Sequence, residues 1–83
     1  MKSISDLKTK AIVTNIRKIR EYRNYTQDYL AAKLHISQNA YSKIELGYTR
    51  LTVERAFDIA DVLEIDALLI FCGGVNTYES RHK

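Results

Sequence analysis

The sequence contains no proline and only three glycines, Gly47, Gly73 and Gly74, among its 83 residues. Strand-rich folds of this size need many turns, and turns depend on the backbone geometries that glycine, proline, asparagine and aspartate provide. A chain with so little glycine and proline is more easily built from helices joined by tight corners. The composition therefore favours an all-α fold.

Long apolar runs and cysteine pairs are also missing. The longest uninterrupted apolar stretch, Ala67 to Cys72, is far shorter than the ~18 residues of a membrane span. The N-terminus shows no apolar segment that could serve as a secretory signal. The single cysteine, Cys72, cannot form an internal disulfide. These absences favour one globular domain in the cytoplasm, with no membrane partner.

Charge is distributed unevenly along the chain, whose formal net charge is +3. Residues 1–23 hold seven lysines and arginines against two acidic residues, whereas residues 51–83 hold three against six. A basic first half suggests a face turned toward a polyanion such as nucleic acid. Charge alone does not decide this, because many basic helices are simply solvated.

Apolar side chains recur at helical spacing in five segments. The predicted helices run from about Ser5 or Lys10 to Arg23, over 27–34, over 38–46, over 53–63, and from Asp66 to the Gly73-Gly74 pair. Thr26, Ser37 and Thr52 are expected N-caps, and Gly47 is an expected left-handed C-terminal residue. The stripes predict that Leu7, Ala11 and Val53 face inward. Residues 1–11 are expected to form an arm or the start of the first helix, 12–72 the folded domain, and 73–83 a flexible tail.

Only about three residues separate the second and third predicted helices. A corner that tight makes two helices cross steeply, which is the geometry of a helix-turn-helix unit. The third helix begins with Ser37, Gln38 and Asn39, and Ser42 and Lys43 follow on its polar face. Glutamine and asparagine side chains can donate and accept hydrogen bonds together, as reading a base edge requires. Taken singly, each residue fits the solvent face of an ordinary bundle helix equally well.

Residues 26–47 read TQDYLAAKLHISQNAYSKIELG. This segment resembles the phage repressor and Cro-like (XRE-type) helix-turn-helix family, whose pattern is Thr/Ser-Gln, Leu-Ala, an apolar-Ser/Thr corner, an apolar-Ser pair and Ile-Glu-x-Gly. Residues 16–20 are similar to the family's first helix and residues 59–65 to its fourth. The resemblance covers roughly residues 12–71 and implies a compact five-helix, lambda-repressor-like domain whose helices 2 and 3 form the helix-turn-helix.

Two residues depart from the family pattern. His35 stands at the corner where the family usually has glycine, and a left-handed non-glycine residue there costs on the order of 1 kcal/mol. Tyr41 stands where the family prefers valine or isoleucine, and its hydroxyl is expected at the surface. No metal site and no cofactor are expected, since the only companions of His35 as ligands are the distant His82 and Cys72.

The resemblance implies a role for each matching position. Gln27 would fix the register of the protein on a phosphate, residues of the third helix would face base edges, and the following loop would meet the backbone or minor groove. The implied DNA-binding residues are Gln27, Ser37, Gln38, Asn39, Ser42, Lys43, Tyr48, Thr49 and Arg50. Arg20 and Glu45 would form a structural ion pair that joins the first helix to the third.

The fifth predicted helix carries four consecutive apolar residues, Leu68, Leu69, Ile70 and Phe71. A short helix has only one face toward its own core, so part of this cluster must point outward. Exposed apolar patches commonly mark partner surfaces, and the cluster is therefore expected to form a homodimer interface. The alternative is that the chain from Val75 onward folds back over it.

These observations favour a sequence-specific regulator that binds double-stranded DNA, a repressor or autoregulator, on a pseudo-palindromic operator. An enzyme is not expected, because no Gly-rich phosphate loop and no Cys/His or Glu/His set occurs at a useful spacing. An antitoxin or adaptor-type protein-interaction module is the alternative, and RNA binding is weaker. Among small members the chain is most similar to restriction–modification controller proteins, which leaves a toxin or RNA polymerase open as a further partner.

Overall fold

The computed structural model describes residues 3–72, which form five helices and, within that range, no strand. The helices are α1 (Ile4–Tyr22), α2 (Gln27–Leu34), α3 (Gln38–Glu45), α4 (Val53–Leu63) and α5 (Leu68–Cys72). This confirms the predicted all-α fold, and α2 and α4 have the predicted bounds. None of these helices is long and apolar enough to cross a membrane. The predicted tail, residues 73–83, lies outside the described residues.

Side-chain caps explain where four helices begin. Thr26, Ser37 and Thr52 each accept a hydrogen bond from the backbone amide three residues later, at 3.0 Å in every case. Ser3 does the same for Asp6, whose carboxylate in turn accepts from the Ser3 amide. This capping box satisfies two amides at once. Consequently α1 begins at Ile4, and the described part of residues 1–11 is the start of that helix.

Residues with a left-handed backbone conformation follow the ends of α2 and α3. His35 ends α2 with φ of 61°, and the amides of His35 and Ile36 donate to carbonyl oxygens of the last turn. Gly47 follows α3 with φ of 80°, as its position in the sequence predicts. His35 adopts the left-handed conformation and keeps both of these hydrogen bonds. The corner between α2 and α3 is therefore formed without the glycine that the family usually places there.

One apolar core joins all five helices. Ile16 and Ile19 from α1 belong to one cluster with buried side chains from every other helix. In addition, the Asn15 amide of α1 donates to the carbonyl oxygen of Ile70 in α5 at 2.8 Å. The other core residues are Leu30, Ala31, Leu34, Tyr41, Ile44, Ile59, Ala60, Leu63, Leu69 and Ile70. This core fixes the directions of α2 and α3, which form the helix-turn-helix.

Three predicted inward positions are wrong. Leu7 is 55% exposed, Ala11 is exposed, and Val53 is 65% exposed. The first two turns of α1 extend past the core, whose first buried residue in the described chain is Val13. Val53 lies in the first turn of α4, and burial on that helix begins at Ala56. Helical spacing identifies a face, but the face is buried only where other helices reach it.

The fifth helix also requires a correction. It begins at Leu68 and not at Asp66, whose Oδ1 accepts a hydrogen bond from the Leu68 amide at 3.0 Å. Leu69 and Ile70 are buried in the core of the same chain, whereas Leu68 is 61% and Phe71 is 40% exposed. The expectation that all four apolar residues form a dimer interface is therefore wrong for Leu69 and Ile70. On this helix Leu68, Phe71 and Cys72 are exposed.

Candidate nucleic-acid interface

A buried ion pair holds α3 against α1. Arg20 donates from Nε to Glu45 Oε2 at 2.7 Å and from Nη2 to Glu45 Oε1 at 3.1 Å, so the guanidinium engages both carboxylate oxygens. Its Nη1 donates to the carbonyl oxygen of Tyr25 at 2.8 Å. Both charged side chains are buried, and two-point pairs of this kind are directional. The pair therefore fixes the orientation of α3 relative to α1 and to the corner before α2.

Two further donors complete the coordination of the Glu45 carboxylate. The Tyr41 hydroxyl donates to Oε2 at 2.5 Å, and the Gln27 amide donates to Oε1 at 3.1 Å. Burial by itself would raise the pKa of Glu45, but the hydrogen bonds from Arg20, Tyr41 and Gln27 outweigh it, so this pKa is lowered. Burial and the hydrogen bond to Glu45 raise the pKa of Tyr41.

Tyr41 itself is fully buried. The expectation that its hydroxyl lies at the surface is therefore wrong. The hydroxyl is not exposed because Glu45, one helical turn further along α3, supplies a buried acceptor. A valine or isoleucine at this position would fill part of the same space but could not donate to the carboxylate.

The exposed face of α3 carries the polar residues that the sequence singles out. Gln38, Asn39 and Lys43 are exposed, and Ser42 is half-buried. Ser37 is exposed, but its hydroxyl already accepts from the Ala40 amide as the helix cap. The opposite face of α3 packs in the core, which holds the helix in place. These side chains therefore point away from the core from a fixed helix. Their arrangement suits insertion into a groove of the size of a helix.

The loop after α3 turns back over the end of that helix. The amides of Tyr48 and Thr49 both donate to the carbonyl oxygen of Lys43, at 2.9 and 3.3 Å. This fold-back places Thr49 and Arg50 along the same groove as Asn39 and Lys43, a groove of about 480 Å³. The structure thus brings together five predicted residues: the cap Ser37, two residues of α3 and two of the loop.

Other predicted residues lie elsewhere. Gln38, Ser42 and Tyr48 do not line this groove, and Gln27 is half-buried with its amide on Glu45. Thr52 and Arg55 at the start of α4 do line the groove and were missed from the sequence. A detectable signal existed for Arg55, since a cation in the first turn of a helix opposes the usual preference for acidic residues there. No group of three side chains able to hold a metal ion occurs within residues 3–72.

A tight corner presents a short helix with a polar outer face to solvent, the ion pair with α1 holds its inner face, and the loop that carries Arg50 lies beside it. This arrangement defines a helix-turn-helix DNA-binding domain. Residues 16–70 match a family model described as helix-turn-helix. The chain belongs to this family, that of the Cro and phage repressor (XRE-type) regulators, and is a DNA-binding regulator of that type. No curated protein and no solved structure gives a significant match.

Proposed function

We propose that the protein recognises a specific duplex DNA sequence through α3 and regulates transcription there as a repressor or autoregulator. The observation that carries this proposal is that one face of α3 is buried in the fold while the opposite face exposes polar side chains. Its buried side ends in the ion pair with α1, while Gln38, Asn39 and Lys43 are exposed on the other side. A helix that is held this firmly can place amide groups against base edges with little loss of conformational entropy.

The contacts divide into two kinds. Gln38 and Asn39 read base edges in the major groove, because their amides can pair with a donor and an acceptor together. Lys43 lies beside Asn39 in the groove next to α3, where it reaches a base or a neighbouring phosphate. Arg50 and the loop around it contact the sugar–phosphate backbone, which positions the helix without reading sequence.

Gln27 belongs with the positioning contacts. It is the first residue of α2, where free backbone amides and the helix dipole favour a phosphate. Its side chain is held by Glu45, so the first turn of α2 is oriented by the same carboxylate that orients α3. One buried group thereby sets the relative positions of both helices of the motif.

We further propose that two copies pair through Leu68 and Phe71 on α5. The two exposed apolar side chains lie three residues apart on one side of the helix, whereas Leu69 and Ile70 anchor the helix to the core. A two-fold dimer would place two copies of α3 in successive major grooves. The operator would then be pseudo-palindromic, with half-sites ~34 Å apart.

The decisive experiment is selection of bound sequences from random duplex DNA, followed by affinity measurements at several salt concentrations. We expect enrichment of a pseudo-palindromic sequence, and an affinity that falls with salt at a logarithmic slope of about −0.9 for each neutralised phosphate. Selection without enrichment, together with affinity that does not respond to salt, would contradict the proposal. That outcome would instead favour a protein-interaction module.

A further inference from the structure

Arg55 lies at the DNA-facing groove although it belongs to α4. Its backbone amide donates to the Thr52 hydroxyl at 3.0 Å, which places it in the first turn of that helix. Its side chain lines the groove that Asn39, Lys43 and Arg50 also line. Three successive elements, namely α3, the loop and α4, therefore each supply one cation to the same groove.

The position of Arg55 is unfavourable for the isolated fold. The N-terminal end of a helix is electropositive, and a cation in the first turn is repelled by it. The ion pair of Arg55 with Asp58 joins Nη1 to Oδ2 at 4.0 Å, and the Asp58 side chain is about half exposed. A pair at that distance, with Arg55 half-buried and Asp58 about half exposed, contributes little. This ion pair therefore offsets little of the repulsion between Arg55 and the helix end.

The side chains that line the groove give a reason for a cation at this position. Its described lining includes the cations Lys43, Arg50 and Arg55 and the hydroxyl residues Ser37, Thr49 and Thr52, but no aspartate or glutamate. A second groove, where the loop faces α1, mixes Lys10 and Arg50 with Asp6. Apart from Asp58, which lies 4.0 Å from Arg55 and outside the lining, the groove combines cations and hydroxyl groups, a combination that matches the backbone of a nucleic acid.

We propose that Arg55 contacts a backbone phosphate of the bound duplex, adjacent to the phosphate that Arg50 contacts. This inference rests on the proposed function, because it requires α3 to lie in the major groove. The planar guanidinium of Arg55 can donate two hydrogen bonds to one phosphate. The phosphate also offsets the repulsion between the cation and the helix end. Arg55 thus adds affinity and fixes the register of the protein while reading no base.

The test compares Arg55→Ala with Arg17→Ala, which removes the same charge from an exposed position on α1 outside the groove. Binding of the full chain is measured by fluorescence anisotropy on a duplex recovered by selection and on an unrelated duplex. We expect R55A to lose roughly tenfold in affinity at low salt on both duplexes. Its salt slope should be shallower than that of the unmodified protein by about 0.9. R17A should keep the original slope, and Arg55→Lys should keep most of it.

Two further measurements separate a DNA contact from a structural role. Asp58→Asn removes a competing carboxylate and should raise affinity for both duplexes. R55A should unfold thermally at the same or a higher temperature than the unmodified protein, because a cation leaves the helix end. A salt slope for R55A equal to that of R17A, or a lowered unfolding temperature that accounts for its loss of binding, would overturn the inference.

The experiment also distinguishes this inference from the proposed function. Should the unmodified protein bind neither duplex in a salt-dependent way, the proposed function itself fails and Arg55 has no phosphate to contact. Should the unmodified protein bind its selected duplex with the expected slope while R55A behaves like R17A, only the role of Arg55 fails.

Discussion

Tyr41 donates its hydroxyl to Glu45 one turn further along α3, and Glu45 is the residue that pairs with Arg20 of α1. The tyrosine is thus part of the junction between the two helices. A hydroxyl and a guanidinium share one carboxylate oxygen, Oε2, and the Gln27 amide shares the other with the guanidinium. The junction has four side chains from three helices.

Removing the Tyr41 hydroxyl should weaken this junction. Tyr41→Phe leaves the buried carboxylate with one donor fewer, and we expect the free energy of unfolding to fall by ~1–3 kcal/mol. Urea denaturation measures the change. Tyr48→Phe is the matched control, because Tyr48 is 78% exposed and its hydroxyl should contribute almost nothing. Equal stabilities for the two variants would show that the Tyr41–Glu45 hydrogen bond has no net value.

Stability should depend on Glu45 at acidic pH. The pKa of Glu45 in the folded protein lies below its ordinary value of about 4.5, because the hydrogen bonds to the carboxylate outweigh its burial. The unfolded chain therefore binds the proton more readily, and the contribution of Glu45 is fully present above the unfolded pKa and is lost as pH falls through the folded pKa. Unfolding free energy should decline below about pH 4.5. Glu45→Gln should be less stable at neutral pH and should decline less steeply in acid; an identical decline would contradict the assignment.

Substitutions on α3 and in the loop should affect binding differently. Gln38→Ala or Asn39→Ala should cost ~1–3 kcal/mol on the selected duplex and little on unrelated DNA. Arg50→Ala should weaken both by a similar factor, because a phosphate contact carries no sequence information. Repeating the selection with each variant measures the change in base preference. An unchanged preference for both α3 variants would mean that α3 does not face the bases.

Dimerisation should depend on two of the four apolar residues of α5. Leu68→Lys or Phe71→Lys places a charge on an exposed position and should give a folded monomer with weak, non-specific DNA binding. Leu69→Lys should unfold the protein instead, because Leu69 is buried in the core. Sedimentation at micromolar concentration measures the state of association, and circular dichroism checks the fold. An unmodified protein that sediments as a monomer and binds an asymmetric site with full affinity would contradict the dimer.

The local features of the fold could be predicted from the sequence because they depend on neighbours along the chain. The caps at Thr26, Ser37 and Thr52 are properties of a few adjacent residues, and the left-handed position of Gly47 follows the end of a periodic segment. The family resemblance, which the match over residues 16–70 confirms, rests on spacing within one short segment. These signals suffice for the element order and the helix-turn-helix.

The features of the fold and of the site that were not predicted depend on contacts between segments that are distant in the sequence. The buried hydroxyl of Tyr41 requires Glu45 to be drawn in by Arg20, and the exposure of Val53 depends on how far the neighbouring helices extend. Four consecutive apolar residues on α5 cannot indicate which of them face the core. Arg55 of α4 lines the same groove as residues of α3 and of the loop, which are 5 to 16 positions away in the sequence. None of these facts is encoded in helical periodicity.

The hydrogen bond from Gln27 to Glu45 has a consequence for genetic screens. It connects the first residue of α2 directly to the buried Glu45 carboxylate. A substitution that disturbs this carboxylate should therefore also displace the first turn of α2 at the surface. We expect a screen for loss of operator binding to recover substitutions at Arg20, Tyr41 and Glu45 in proteins that still fold. Such mutants would resemble contact mutants in the cell, and only the measured stability of each purified protein would tell the two classes apart.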